Sequence, residues 1–303
     1  MTRVAAVDCG TNSIRLLVTD ITGSDQSDVQ REMRVVRLGQ GVDRTGLLSP
    51  EALDRTRTAL QEYSRICAGY NVDRTRMVAT SATRDASNRS DFVAMVRDTL
   101  GVEPEVVTGD EEAALSFAGA TRALDPADGP FVVMDIGGGS TELVLGTATV
   151  EAARSVDVGC VRLTERHLHD DPPSAEQVAD ATADIDVAVR EIQAVVPVAQ
   201  ARTAIGLAGS VTTIAALALG LSSYDRDRIH LARISADDVR RVTAALLGMT
   251  RTERAALPVM HPGRVDVIGA GALVLRTLVD RLSLTEVLVS ESDILDGIAW
   301  SAT

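Results

Sequence analysis

The feature that most constrains the fold of this chain is a short pattern that occurs twice. In each copy an apolar run ends in an aspartate, a glycine-containing turn follows, and a second apolar run begins at once. The copies span 4–13 and 132–140, with Asp8 and Asp135 at equivalent positions. Because a domain's length of chain separates them, the repeat is that of a whole domain and not of a local hairpin. Two such domains facing each other would enclose a cleft.

The two turns have the chemistry of phosphate-binding loops. Glycine allows a close approach of the backbone, so Gly10 and the run Gly137-Gly138-Gly139 can direct successive N–H groups at phosphate oxygens. Hydroxyl donors accompany them at Thr11, Ser13, Ser140 and Thr141. A Gly-Gly-Gly-Ser segment is more often a flexible linker in polar surroundings. Here apolar runs flank it on both sides, at 131–134 and 143–145, which favours a turn between strands.

The aspartates predict a divalent cation. A carboxylate at the end of a strand would repel a phosphate beside it unless a cation lay between them, and Mg²⁺ prefers a mixture of carboxylate, phosphate oxygen and water. Alignment of the two copies places Arg15 opposite Glu142. One turn is therefore predicted to hold an anion directly, and the other to hold the metal.

Composition excludes several other classes of protein. The chain has 303 residues, of which 45% are hydrophobic, and no apolar run long enough to span a bilayer, so we expect about two globular domains and no membrane partner. The N-terminus lacks the apolar segment of a signal peptide, which favours the cytoplasm. A net charge of −13 argues against a general nucleic-acid surface. All 30 basic residues are arginine, which excludes a P-loop lysine and Schiff-base chemistry.

The order of elements predicts layered α/β domains. Strands are expected at 4–9, 14–21, 33–38, 77–79 and 106–107, and helices from Pro50, from about Asp91 and from Gly109. The segment 125–130 is the predicted boundary between the halves. Beyond it we expect helices capped by Ser174 and Ser235, a strand at 204–207 with a glycine turn before a helix at 211–219, a helix at 263–282, a strand at 287–289 and a terminal helix. Alternating strands and helices indicate an α/β fold.

Five motifs in order carry a resemblance to a known family. They are Asp8-Cys9-Gly10-Thr11-Asn12-Ser13, Arg37-Leu38-Gly39-Gln40-Gly41-Val42, the segment 80–88 (TSATRDASN), Gly109-Asp110-Glu111-Glu112-Ala113, and the segment 135–142 (DIGGGSTE). Together they resemble the exopolyphosphatase and guanosine pentaphosphate phosphatase family, from Val4 to about Gly297. The resemblance therefore covers nearly the whole chain.

The resemblance implies a fold and a domain arrangement. It predicts two duplicated ribonuclease-H-like domains of the actin, sugar kinase and heat-shock chaperone superfamily, with the active site in the cleft between them. We expect the first domain at 1–125 and the second at 126–303, with a terminal helix at about 292–303 packing back on the first. The length corresponds to the short, two-domain form of the family. A homodimer is also expected, although the residues themselves specify no oligomeric state.

The resemblance also assigns roles to residues. It places the catalytic base at Glu112 and acidic residues that bind metal or position water at Asp135 and Glu142, so that Asp135, Glu142 and Glu112 form the expected set for Mg²⁺ or Mn²⁺. The expected substrate-binding and phosphate-binding residues are Asp8, Gly10, Thr11, Asn12, Ser13, Arg15, Arg84, Gly137, Gly138, Gly139, Ser140, Gly209 and Ser210. Without the motif, Glu112 would be interpreted as a solvated carboxylate favoured by the dipole of its helix, as are Asp110 and Glu111.

The activity implied is that of an exopolyphosphatase, which releases terminal orthophosphate from inorganic polyphosphate by metal-assisted hydrolysis. Hydrolysis of pppGpp to ppGpp is the alternative within the family, although nothing in the segment 206–210, on the nucleoside side of the superfamily fold, specifies a guanine. A superfamily kinase or ATPase and a non-enzymatic sensor of phosphate ligands are more distant alternatives. The sequence does not specify the preferred length of polyphosphate.

Overall fold

The computed structural model describes residues 1–303. Residues 1–121 contain β1 (Thr2–Cys9), β2 (Ser13–Thr22), β3 (Asp25–Val35), α1 (Val42–Thr45), α2 (Pro50–Gly69), β4 (Arg74–Ala79), α3 (Ser81–Asp85), α4 (Arg89–Leu100), β5 (Glu105–Val106) and α5 (Gly109–Thr121). Residues 131–218 contain β6 (Phe131–Ile136), β7 (Thr141–Gly146), β8 (Val150–Val156), α6 (Cys160–His167), α7 (Ala175–Gln193), β9 (Thr203–Leu207) and α8 (Ala208–Ala218). Residues 226–301 contain α9 (Arg226–Ile229), β10 (Arg233–Ser235), α10 (Ala236–Gly248), α11 (Arg251–Ala255), α12 (Ile268–Arg281), β11 (Glu286–Val289) and α13 (Ile294–Ser301).

The chain divides into two compact units. Unit 1 comprises Met1–Gly119 together with Ile294–Thr303, and unit 2 comprises Ala120–Asp293. The predicted boundary at 125–130 lies a few residues after this division. None of the helices combines the length and the apolar character that crossing a membrane requires.

Unit 1 is built on a five-stranded sheet in the order β3-β2-β1-β4-β5. The strands β3, β2 and β1 are antiparallel to their neighbours, whereas β1, β4 and β5 run parallel. Side chains along a strand alternate between its two faces. Accordingly Ala5 and Val7 of β1 belong to the core formed with α2 and α4, whereas Val4 and Ala6 pack with α13. Helices therefore cover both faces of the sheet.

Unit 2 repeats this arrangement. Its sheet has the order β10-β11-β9-β6-β7-β8, in which β8, β7 and β6 are antiparallel and β6, β9 and β11 are parallel. The additional strand β10 joins antiparallel to β11. One hydrophobic core joins the strands to α7, α8, α10 and α12. In both units the glycine turn connects the central strand to its antiparallel neighbour, so the repeated sequence pattern marks a repeated topology.

Several predicted boundaries were wrong. The third strand spans Asp25–Val35 instead of 33–38. Val36 and Leu38, whose apolar character suggested a strand, are buried in the segment that follows it. A short helix, α3, lies within the polar segment 80–88, where Ser81 and Thr83 are nevertheless buried. The helix α8 begins at Ala208, and α12 begins only at Ile268. The capping box at Ser174 is confirmed.

Candidate active site

The first turn holds an arginine and an aspartate together. Asp8 and Arg15 are cross-strand partners on β1 and β2, and Arg15 donates from Nε and Nη2 to Asp8 Oδ2 at 3.0 and 2.7 Å. The turn closes through a hydrogen bond from Gly10 N–H to the Ser13 carbonyl at 3.0 Å. Asp8 thus orients the guanidinium of Arg15 beside the turn.

The segment after β3 supports the first turn from one side. The N–H of Arg37 donates to the Asn12 carbonyl and that of Gly39 to the Thr11 carbonyl, each at 2.8 Å. A Cβ at Gly39 would lie 2.3 Å from Thr11 Cγ2, so a larger residue there would displace the Thr11 side chain. The Thr11 hydroxyl forms a buried hydrogen bond with Ser81 Oγ at 2.9 Å. Thr11 therefore ties the turn to α3.

The second turn has the same closure and a different pair of side chains. Gly137 N–H donates to the Ser140 carbonyl at 3.0 Å. Asp135 and Glu142 are cross-strand partners on β6 and β7, and they are only 8% and 1% exposed. Glu142 Oε1 accepts a hydrogen bond from Ser155 Oγ at 2.7 Å. Unit 1 pairs a carboxylate with a guanidinium at this position, whereas unit 2 places two carboxylates side by side.

The carbonyl groups of the glycine run are bound by the start of α6. The N–H of Cys160 donates to the Gly137 carbonyl at 3.0 Å and that of Val161 to the Gly138 carbonyl at 2.8 Å. Arg162 Nε donates to the Gly139 carbonyl at 2.8 Å. These oxygens, which would repel a phosphate, are thereby occupied by protein donors. This support was not predicted from the sequence, because no helix was expected at α6.

Close packing of backbone against backbone maintains this arrangement. A Cβ at Gly159, the residue before α6, would lie 2.4 Å from the Gly138 carbonyl oxygen. That position therefore requires glycine. Nothing in the local sequence around Gly159 signals the constraint, since it comes from a turn about twenty residues earlier in the chain.

Glu112 lies buried at the start of α5, in contact with an arginine. Glu112 is only 8% exposed. Arg84 Nη1 donates to Glu112 Oε2 at 3.0 Å. The same nitrogen donates to the Val107 carbonyl at 3.0 Å, which holds the guanidinium against the end of β5. The structure thus brings together Arg84 and Glu112, two of the residues predicted from separate motifs.

A capping box fixes where α5 begins. Thr108 N–H donates to Glu111 Oε2 at 2.8 Å, and Glu111 N–H donates to Thr108 Oγ1 at 3.2 Å. The hydrogen bonds from the Thr108 backbone and then its side chain lower the pKa of Glu111. The Thr-x-x-Glu spacing was available in the sequence. Glu111 is therefore a capping residue, and the helical turn that carries Glu112 starts at a defined position.

Gly209 and Ser210 lie in the first turn of α8, next to an arginine that was not predicted to belong to the site. A Cβ at Gly209 would lie 2.3 Å from Arg264 Nη2, so the guanidinium lies directly against this backbone. Arg264 Nη1 also donates to Thr213 Oγ1 at 3.1 Å. The preceding residue, Ala208, has a φ of 66°, which is an uncommon backbone conformation for alanine. Only the tertiary fold brings Arg264 to this turn.

The acidic residues of the second turn can be matched to the requirements of a metal ion. No group of three or more His, Cys, Asp or Glu side chains is arranged to hold one. Asp135 and Glu142, however, are directly opposite on neighbouring strands, a relation that places Cβ atoms about 5 Å apart on one face of a sheet. Mg²⁺ is commonly bound by one or two carboxylates, with water and substrate phosphates completing its shell. The pair fits an ion that binds together with phosphate.

Comparison with known proteins agrees with the fold and the motifs. Exopolyphosphatase 2 of Mycobacterium tuberculosis is 52% identical over 314 aligned residues, which cover 99% of this chain and 98% of that protein. The crystal structure of an exopolyphosphatase-like protein is 43% identical and superposes with a TM-score of 0.95 over 99% of this chain and 98% of its own. An exopolyphosphatase structure from Cytophaga hutchinsonii is 27% identical, with a TM-score of 0.90 over 99% and 97%.

The predicted fold class is confirmed by these likenesses, because the matching structures are mixed α/β proteins with the duplicated, ribonuclease-H-like and actin-like architecture. The family model described as the Ppx/GppA phosphatase family matches residues 17–302. This protein belongs to the Ppx/GppA phosphatase family.

Proposed function

We propose that this protein is an exopolyphosphatase that releases terminal orthophosphate from inorganic polyphosphate. The observation that carries the proposal is the contact between Arg84 and Glu112, which holds a buried carboxylate beside a cation able to bind phosphate. The name of the Mycobacterium tuberculosis relative, Exopolyphosphatase 2, supports polyphosphate as the substrate.

In the proposed reaction a water molecule attacks the terminal phosphorus in line with the bond to the bridging oxygen. Glu112 accepts a proton from this water as the new P–O bond forms. The bond between phosphorus and the bridging oxygen breaks, and the oxygen leaves with the bonding electrons on the shortened polyphosphate. A general base of this kind contributes about 10²–10⁴-fold to the rate. Most of the remaining acceleration in phosphoryl transfer comes from positioning and from neutralising charge.

Positioning is assigned to the two turns and to the arginines beside them. Arg15, oriented by Asp8, and Arg84 would bind phosphate oxygens, and the backbone amides of both glycine turns would add uncharged donors. Asp135 and Glu142 would hold Mg²⁺ or Mn²⁺, which supplies positive charge to the phosphate oxygens when bound. Gly209 and Ser210 remain candidates for contacts farther along the substrate.

The assignment of the base is tested by Glu112→Gln. The amide keeps the shape of the side chain and cannot accept the proton, so we expect phosphate release from polyphosphate to fall by at least about 10²-fold. Binding of polyphosphate, measured by fluorescence polarisation of an end-labelled chain, should persist. Unchanged turnover in this variant would refute the role of Glu112.

The substrate is tested by comparing phosphate release from short polyphosphate, long polyphosphate, pppGpp and ATP in the presence of Mg²⁺. We expect polyphosphate to have the highest kcat/KM. A higher value for pppGpp would replace the proposed substrate. Release that required an acceptor molecule would indicate a kinase, and tight binding without turnover would indicate a sensor.

The metal assignment predicts a shift in the Mg²⁺ requirement. Asp135→Asn and Glu142→Gln each remove one negative charge from the pair, so the Mg²⁺ concentration for half-maximal phosphate release should rise about tenfold or more. Glu151→Gln, on the neighbouring strand β8 and exposed, is the control and should leave the requirement unchanged. Activity that survives full chelation would contradict the proposal.

Two finer proposals concern the assembly and the location of the protein. We propose that the protein forms a homodimer and acts in the cytoplasm. Light scattering coupled to size exclusion tests the first, and fractionation of cells expressing the full chain tests the second. A monomer across micromolar concentrations, or recovery outside the cytoplasm, would contradict them.

A further inference from the structure

The backbone of the terminal helix α13 comes very close to the helix that carries Glu112 at Gly297. A Cβ placed on Gly297 would lie 2.1 Å from the Leu115 carbonyl oxygen, 2.8 Å from its carbon and 3.2 Å from Leu115 Cα. All three atoms belong to the backbone of α5, which cannot move aside as a flexible side chain can. Leu115 lies three residues after Glu112, which is a rise of about 4.5 Å along the helix.

The position of α13 is itself fixed by packing against the sheet of unit 1. Its apolar residues Ile294, Leu295, Ile298 and Ala299 form one buried cluster with residues of β1, β2 and β4. The side chain of Leu115 packs against the same cluster. A substitution at Gly297 would therefore meet resistance from the sheet behind α13.

Polar contacts anchor α13 along its length. Asp296 Oδ1 accepts hydrogen bonds from Arg31 Nη2 at 2.7 Å and from Gln26 Nε2 at 3.1 Å, and Asp296 is 5% exposed. At the other end, Arg76 donates to Ser301 Oγ. Because these contacts hold α13 in place, we expect a clash between α13 and α5 to displace α5.

We propose that Gly297 is a positioning residue for the hydrolytic reaction. Its contact with Leu115 sets the position of the first turns of α5, and through them the position of the Glu112 carboxylate relative to Arg84. This inference rests on the proposed function, in which Glu112 is the general base. Gly297 acts only through Glu112 and touches no reacting group.

Geometry gives the expected size of the effect. Real Cβ atoms essentially never come closer than 3.0 Å to such an atom, so Gly297→Ala requires the two helices to separate by about 1 Å. A displacement of that size at a catalytic group can cost about 10²-fold in rate. We therefore expect kcat to fall about 10–100-fold with little change in KM, because the phosphate-binding turns are not moved.

The control is the same substitution where there is room. Gly69 ends α2 in unit 1 and is exposed, and no heavy atom beyond its chain neighbours and the adjacent backbone of its own helix lies within 4 Å of the position that a Cβ would take there. The Gly69→Ala variant should therefore have the same kcat as the wild type. In a helix, alanine is normally more favourable than glycine. A loss at Gly297 alone would thus reflect the contact and not the residue type.

A double-variant comparison separates positioning from general damage. If Gly297 acts through Glu112, adding Gly297→Ala to Glu112→Gln should not lower the residual rate further. A loss of the same factor in both backgrounds would overturn the proposal, as would a kcat for Gly297→Ala equal to that of Gly69→Ala.

A milder variant serves if Gly297→Ala does not fold. Asp296→Asn weakens the anchor of α13 without adding an atom, and we expect a smaller fall in kcat with KM retained, absent in the Glu112→Gln background. An unchanged kcat in folded Asp296→Asn would then overturn the proposal. If the wild type releases no phosphate from polyphosphate, the proposed function fails as well; if it is active, these variants test the positioning role alone.

Discussion

Arg84 is the residue whose substitution best tests the local geometry of the proposed site. One of its nitrogens donates both to the Val107 carbonyl and to Glu112 Oε2, each at 3.0 Å. Lysine keeps the charge but lacks the planar fork that allows several directed hydrogen bonds. We expect Arg84→Lys to lower kcat/KM for polyphosphate about 10–100-fold, the equivalent of one lost charge-assisted hydrogen bond. Steady-state kinetics of phosphate release measure it.

The control for this prediction lies on the same segment. Arg89, five residues later at the start of α4, is exposed, and Arg89→Lys should leave kcat/KM unchanged. Equal activity of Arg84→Lys and the wild type would mean that the fork of Arg84 is not used. Equal losses in both variants would point to overall charge instead of local geometry.

At the residue scale, the repeat predicted the residues of both glycine turns and the family resemblance supplied Arg84 and Glu112. Residues that only the tertiary fold brings to the site were missed. The pairs Asp8 with Arg15 and Asp135 with Glu142 follow from aligning two hairpins, because facing positions across a short turn are set by the register. Arg264 reaches Gly209 from a distant part of the chain, so no local pattern could place it.

At the element scale, the start of α5 offers a graded test. Thr108→Ala removes the hydroxyl that caps the helix, at a cost of about 1 kcal/mol in the free energy of unfolding. Because Glu112 lies in the turn that this cap orders, we expect phosphate release to fall with the stability. Thr108→Ser retains the hydroxyl and should keep both near wild type. Urea unfolding and kinetics on the three proteins check this, and equal behaviour of the two variants would contradict the role of the cap.

Elements with strong apolar periodicity were predicted well, and elements made of polar residues were not. The helix α2 begins at Pro50 after Ser49, whose side chain accepts from Ala52 N–H as its capping position predicts. The strand β3 pairs on only one side, in antiparallel register with β2, and its largely polar, half-exposed residues show no apolar alternation. Tertiary pairing, which a local pattern does not contain, determines such a strand.

At the scale of the whole molecule, duplication made the architecture predictable. Both sheets place three antiparallel strands beside parallel ones, and both put the glycine turn after the central strand. A repeated motif a domain apart predicts repeated topology because each copy must pair its strands in the same way. The contact of Gly297 with Leu115 has no counterpart in the pattern, since it depends on where the last helix packs.

The distribution of buried thiols and phenols predicts how stability responds to alkaline pH. Burial raises the pKa of Cys67 and of Cys160 to about 11 and that of Tyr224 to about 12. Burial also raises the pKa of Cys9. In the unfolded chain the pKa of a thiol is about 8.5. Above that pH the unfolded chain therefore binds fewer protons than the folded protein, and stability must fall as pH rises.

We expect the urea midpoint of unfolding to be nearly constant between pH 7 and 8 and to decline steadily up to pH 11, where the raised pKa values are reached. For Cys160, the shift to about 11 corresponds to roughly 2–3 kcal/mol lost over that range. Increasing negative charge would also destabilise the protein, so Cys160→Ala is the necessary comparison. That variant has no thiol proton to lose at this position, and its decline should be shallower whatever its stability at pH 7. Parallel declines in the two proteins would show that Cys160 does not carry the effect.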